Sequence, residues 1–198
     1  MSYGLRRRLA PFALALSVAL VSAFSGPCAS AQPSEIGAAA KAPGRHLLMR
    51  HALAPGTGDP AGFALGDCAT QRNLSREGRA QAKAIGRALG EAGLAPDIVL
   101  TSQWCRASET ASGLGLAAVE EEPALNSFFA GRGEAERQGA AVIARLKALD
   151  AAGRKAVLVT HQVNITALTD VFPASGEVLV VRLDGDRLSV EDRILIEP

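Results

Sequence analysis

The sequence predicts an α/β fold, a three-layer α/β/α sandwich around a mainly parallel central sheet. Short apolar runs alternate with stretches of helical period along the chain. Several of the runs ("HLLM", "DIVL", "AVLV") are apolar enough to be buried on both faces, as strands between two helix layers are. Three of them end in nitrogen-rich side chains, "MRH", "TSQWCR" and "VTH", so arginines and histidines collect at the edge where such sheets bind ligands.

The first 31 residues stand apart. Arg6, Arg7 and Arg8 precede an apolar stretch from Leu9 to Phe24, and Ala29-Ser30-Ala31 forms a small-x-small cleavage pattern. The stretch is shorter than a membrane-spanning helix needs and contains Pro11. It reads as a cleaved secretory signal with Gln32 first in the mature chain, the alternative being an uncleaved membrane anchor; cleavage implies a periplasmic or secreted protein with no stable membrane insertion. Cleavage removes three of the 21 basic residues and none of the 20 acidic ones, turning a net charge of +1 into −2. A mildly acidic chain without a basic stripe gives no support for a nucleic-acid partner.

Residues 32–44 are Ala/Pro/Ser-rich and aperiodic, and read as a flexible leader to a single domain, 45–198. "RHLLMRH" is a buried strand. A Gly/Pro-rich loop follows from Pro55 to about Arg72. "NLSREGRAQAKAIGRALGEAGL" is a helix with Ser75 as N-cap and Gly93 at its end. "PDIVLTS" is a second strand and "CRASETASGLG" a second helix. "AAVEEEPALNSFF" is a strand and long loop, its glutamates a solvated edge. "EAERQGAAVIARLKALDAAG" is a third helix, with Val142, Ile143, Leu146 and Leu149 on one face and Gly153 at its end. "KAVLVTH" is the third buried strand, "QVNITALTDVF" is helical, and the chain closes in a hairpin around Asp184-Gly185.

Arg50, His51, Arg106 and His161 read as one anion-attracting site. Guanidinium forks match pairs of phosphoryl oxygens. A neutral imidazole can attack phosphorus through one nitrogen if a hydrogen bond holds the other, and neighbouring arginines would lower its pKa. His46, at the opposite edge of the sheet, and Trp104 read as packing residues. The loop has no Walker pattern. No His/Cys/Asp/Glu set has metal spacing, and cationic neighbours oppose a cation, so neither metal nor cofactor is expected. Cys68 and Cys105 form an even pair, which in an exported chain reads as a disulfide rather than as two partly buried thiols.

"LLMRHA", "LSREGRAQA", "LTSQWCRASETA" and "LVTHQVN" together resemble the histidine phosphatase superfamily, the phosphoglycerate-mutase-like fold, in order and spacing from about Arg45 to Phe172. The resemblance implies a metal-independent phosphatase acting on a small phosphorylated molecule. In it His51 becomes phosphohistidine, Arg50 and Arg106 bind the phosphoryl group, and His161 donates to phosphoryl oxygens. It puts Thr57 and Asn73 on the loop over the pocket, with Asn73 a ligand. Ala52 replaces the family's usual glycine at slight cost. The proton donor is a larger departure, because Asn126 stands where many members carry a glutamate and Gln162 where another branch carries aspartate. Glu134 and Glu122 are the nearest candidates, and without a donor the chain would be a phosphate-binding module with little turnover. "CATQRNLS" with "QWCR" and "THQVNITAL" resembles exported bacterial proteins described as lipopolysaccharide core heptose phosphate phosphatases. That likeness implies an envelope sugar phosphate as substrate and a Cys68–Cys105 disulfide pinning the loop.

Overall fold

The computed structural model describes Met1 and residues 38–196. The expected signal peptide, its cleavage point and the leader as far as residue 37 otherwise lie outside the described residues. Among those described, no helix is long and apolar enough to cross a membrane.

Six strands form one sheet: β1 (Arg45–Arg50), β2 (Ile98–Thr101), β3 (Val119–Glu121), β4 (Ala156–Thr160), β5 (Val178–Asp184) and β6 (Arg187–Ile194). Their spatial order is β3-β2-β4-β1-β5-β6. The first four are mutually parallel, and β5 and β6 add an antiparallel hairpin at one edge. The hairpin loop is Gly185-Asp186, one residue later than expected, because Asp184 pairs with Arg187 and the positive φ it needs is taken by Gly185.

Side chains alternate across the sheet, as the two-residue period of a strand requires. Leu47, Met49, Val99 and Val157 face α2 (Arg76–Glu91) and α3 (Cys105–Leu114). Leu48, Leu100 and Leu158 face α4 (Ala135–Ala151) and α5 (Gln162–Thr169). The predicted three layers are thus present. Ser75 caps α2 by accepting from Gly78 N at 3.0 Å, and Gly93 leaves the helix at φ 78°. α2 and α3 approach through glycine: a Cβ on Gly86 would lie 1.9 Å from the Leu114 carbonyl oxygen.

The leader differs from its expected looseness. Ala38–Lys41 forms a short helix, α1, with Ala40 buried against the core. Lys155 Nζ donates to the Ala40, Ala42 and Arg45 carbonyls, which ties this segment to the start of β1. A run of small residues has no amphipathic period, so its burial was not readable from its own sequence.

Register places the functional edge. Arg50 pairs with Thr160, and Thr101 with Val159. His51 N donates to Thr160 O at 2.9 Å and Ser102 N to Val159 O at 3.0 Å. His51, Ser102 and His161 therefore leave three adjacent parallel strands at one level.

Candidate active site

His51 is 2 % exposed and its ring is oriented by the backbone of the next residue. Nδ1–H donates to the Ala52 carbonyl at 2.8 Å, which leaves the lone pair on Nε2. Arg106 Nε donates to that Nε2 at 3.2 Å. Burial drives the His51 pKa down to about 3, opposed by the Ala52 hydrogen bond and assisted by Arg106, Arg50 and Arg72. The arginines expected to lower it are thus the lesser cause, and desolvation is the greater. The result is the neutral, Nε2-nucleophilic form at any physiological pH.

Arg106 lies in the first turn of α3. Its guanidinium is anchored from behind: Nη1 donates to Asp59 Oδ1 at 2.6 Å and Nη2 to Asp59 Oδ2 at 3.3 Å. Both side chains are 4 % exposed. Asp59 also accepts from Trp104 Nε1 at 3.1 Å and from Arg72 N at 3.2 Å. Burial alone would raise the Asp59 pKa; the Arg106 and Trp104 bonds outweigh it and hold the carboxylate ionised. Trp104 stacks on Phe63 and sets its edge against His161, packing as expected of it.

His161 is buried at the start of α5, and burial holds its pKa well below the usual value, with His51 and the arginines adding to the effect. Its Nε2–H donates to Ser102 Oγ at 2.8 Å; Ser102 Oγ in turn donates to Asn126 Oδ1 at 3.3 Å. Nδ1 carries the lone pair and lies 3.5 Å from Arg106 Nη2. In this tautomer His161 accepts, so the donor role implied for it requires a second proton, which a bound phosphate dianion would favour.

A cavity of about 190 Å³ joins these groups. Arg50, His51, Arg106, His161 and Thr57 line it, as does Arg72. Arg50 is held by Nη1 donating to Pro173 O at 3.0 Å. Arg72 was not singled out from the sequence. Its Nε donates to Gly58 O at 2.8 Å and its Nη1 to Ala54 O, so the guanidinium braces the loop while facing the cavity; burial and its fellow arginines lower its pKa to about 10. Asp59 was missed as well. Both lie in an aperiodic Gly/Pro-rich loop, and a lone carboxylate before Pro60 was the only cue.

Three expectations are corrected. Asn73 does not line the cavity; its Nδ2 donates to Cys68 O at 2.7 Å and Gln71 O at 3.2 Å and so closes the loop. Glu122 does not line it either, since its carboxylate accepts from Ala124 N and caps a 3-10 turn. Glu134 is exposed and pairs with Arg137. Asn126 is turned away, its amide spent on Ser102 and Gln103. Among the described residues no carboxylate lines the cavity.

Cys68 and Cys105 are joined, with Cα atoms 5.7 Å apart, fastening the loop beside Arg106. No three of His, Cys, Asp and Glu among the described residues form a metal-ligating group.

A neutral buried histidine facing three guanidiniums at the carboxyl edge of a parallel sheet defines a phosphoryl-handling site. Residues 47–138 match the model of the histidine phosphatase superfamily (branch 1). The matched segment runs from β1 into the start of α4 and carries Arg50, His51 and Arg106. Solved structures share the fold of this chain. The protein histidine phosphatase SixA, in a complex with tungstate, is 20 % identical with a TM-score of 0.55, covering 76 % of this chain and 96 % of its own. A mycobacterial glucosyl-3-phosphoglycerate phosphatase is 18 % identical with a TM-score of 0.52, covering 74 % and 96 %. No curated protein matches significantly.

Proposed function

We propose that the protein is a phosphatase that hydrolyses a small phosphate monoester through a phosphohistidine on His51, without a metal, outside the cytoplasm. The observation that carries this reading is the His51 Nε2 lone pair, fixed by the Nδ1–Ala52 bond and met by Arg106 Nε, on a ring that lines one cavity with Arg50, Arg72 and Arg106. Nε2 attacks phosphorus, the P–O bond to the leaving group breaks, and the guanidiniums neutralise the equatorial oxygens. Water then attacks the phosphoryl group and the N–P bond breaks, returning the electron pair to Nε2.

Leaving-group protonation separates the substrates. An envelope sugar phosphate, which the exported subgroup implies, departs as an alkoxide and needs a proton, yet no described carboxylate lines the cavity. Esters whose leaving group departs unprotonated suit the site better. The same lack favours the second reading, a phosphate-binding module with little turnover. The test is turnover of p-nitrophenyl phosphate and of an alkyl phosphate with EDTA present. We expect rapid hydrolysis of the first and slow hydrolysis of the second. No turnover of either would leave only the binding module, and loss of activity on chelation would exclude the metal-free mechanism.

A further inference from the structure

We infer that the leaving group this site accepts is an aromatic ring, so that its substrates are small aryl phosphates. The inference rests on the phosphatase reading above and narrows it. Two independent features of the cavity converge on this class.

The first is the character of the cavity's mouth. Its floor is cationic, but its outer wall carries Phe129, Phe172 and Val163, with Ser127, Gln162 and Thr57 as the polar groups. Phe129 is 44 % exposed and Phe172 70 %, whereas Phe63 and Phe128 are partly buried and Trp104 is buried. The two exposed phenylalanines of the described chain thus come from separate segments, one before α4 and one after α5, and line the same cavity. Apolar rings held in water at the rim of a cationic floor favour a ligand with one charged end and one flat apolar end. No charged side chain stands among these outer residues, so nothing there would reward a charged leaving group.

The second is the chemistry of departure. A phenol has a pKa of about 10, so an aryloxide leaves with its electron pair and takes its proton from water afterwards. A site with no lining carboxylate can release it. In the balanced sequence, Nε2 of His51 bonds to phosphorus as the aryl oxygen departs. Water's oxygen then replaces Nε2 on phosphorus, and its protons pass to phosphate and solvent.

Non-hydrolysable phosphonates separate ring recognition from leaving-group acidity. Binding to mature protein is measured by calorimetry for phenyl-, cyclohexyl- and methylphosphonate, with inorganic phosphate alongside. We expect phenylphosphonate to bind at least tenfold more tightly than methylphosphonate and several-fold more tightly than cyclohexylphosphonate. Phe129→Ala and Phe172→Ala should each erase most of that preference. Equal affinity for the phenyl and methyl compounds, with phosphate still bound, would overturn the aryl assignment and leave the phosphatase reading intact. Cyclohexyl binding as tight as phenyl would overturn it too, reducing the mouth to an apolar surface. Failure of phosphate and all three phosphonates to bind would overturn both.

Discussion

Asp59 and Arg106 form an ion pair in which both side chains are almost wholly removed from water, the carboxylate holding two nitrogens of the guanidinium. The pair fixes the plane of the arginine that also touches His51 and His161. It leaves Arg106 a cation whose Nη1 and Nη2 are compensated by Asp59 and whose Nε donates to His51 Nε2.

Asp59→Ala should therefore expose an uncompensated buried charge, a change that costs about 3–5 kcal/mol in such pairs. An anion seated on the floor would replace the lost carboxylate, so saturating inorganic phosphate should recover a large part of the loss. Urea denaturation with and without phosphate measures both. Equal loss in both conditions would mean that Arg106 does not face the bound anion.

The Cys68–Cys105 bond closes a loop across 37 positions and fastens the segment that carries Asp59 and Arg72. Chain-entropy arguments give such a bond about 4 kcal/mol at most. Cys68→Ser with Cys105→Ser should lower stability by about 2–4 kcal/mol and raise KM more than it lowers kcat, because the nucleophile is held by Ala52 and not by the loop. An unchanged KM would show the loop to be held without the bond.

His51 and His161 are both kept neutral by burial. As pH falls through about 6.5 the unfolded chain gains protons that these rings refuse, so stability is full above that pH and declines below it. For His51 the decline continues toward pH 3, where the folded protein itself takes up the proton. The slope approaches about 1.4 kcal/mol per pH unit for each ring. Denaturation midpoints at pH 7 and pH 5 should differ accordingly, and His51→Gln should narrow the gap. An unaltered gap would mean that His51 is not desolvated.

Gly86→Ala is a test of the helix layer beneath the site. Alanine usually favours a helix over glycine by about 1 kcal/mol. Here the added Cβ would meet the Leu114 carbonyl at 1.9 Å, and backbone cannot step aside cheaply. We expect net destabilisation of at least about 2 kcal/mol, read from thermal or urea unfolding. A stabilised variant would show that α2 and α3 are not in such close approach.

The sheet and the four central side chains were legible in the sequence for one physical reason: strands β1, β2 and β4 are buried runs in register, so whatever follows each of them shares an edge. Ser75 and Gly93 were legible because caps are local chemistry. Asp59 and Arg72 were not, because Asp59 acts through a contact across 47 positions with Arg106 and Arg72 through bonds to the Gly58 and Ala54 carbonyls, and a glycine-rich loop has no period to betray its fold. Glu122 and Glu134 looked like acids near the pocket, but sequence proximity cannot separate a proton donor from a cap or a surface pair. Asn126, at the position where an acid was sought, instead steadies Ser102 and through it His161.

The central claim is that His51 Nε2 is the nucleophile, and the direct measurement is the covalent intermediate. The protein mixed rapidly with p-nitrophenyl phosphate, quenched and digested at alkaline pH, should yield one phosphorylated peptide, spanning His51. Its phosphate should survive base and be lost in acid, as a phosphoramidate is, and His51→Gln should neither form it nor turn over. Turnover by His51→Gln near the wild-type rate, or a phosphoryl group carried on another residue, would contradict the account.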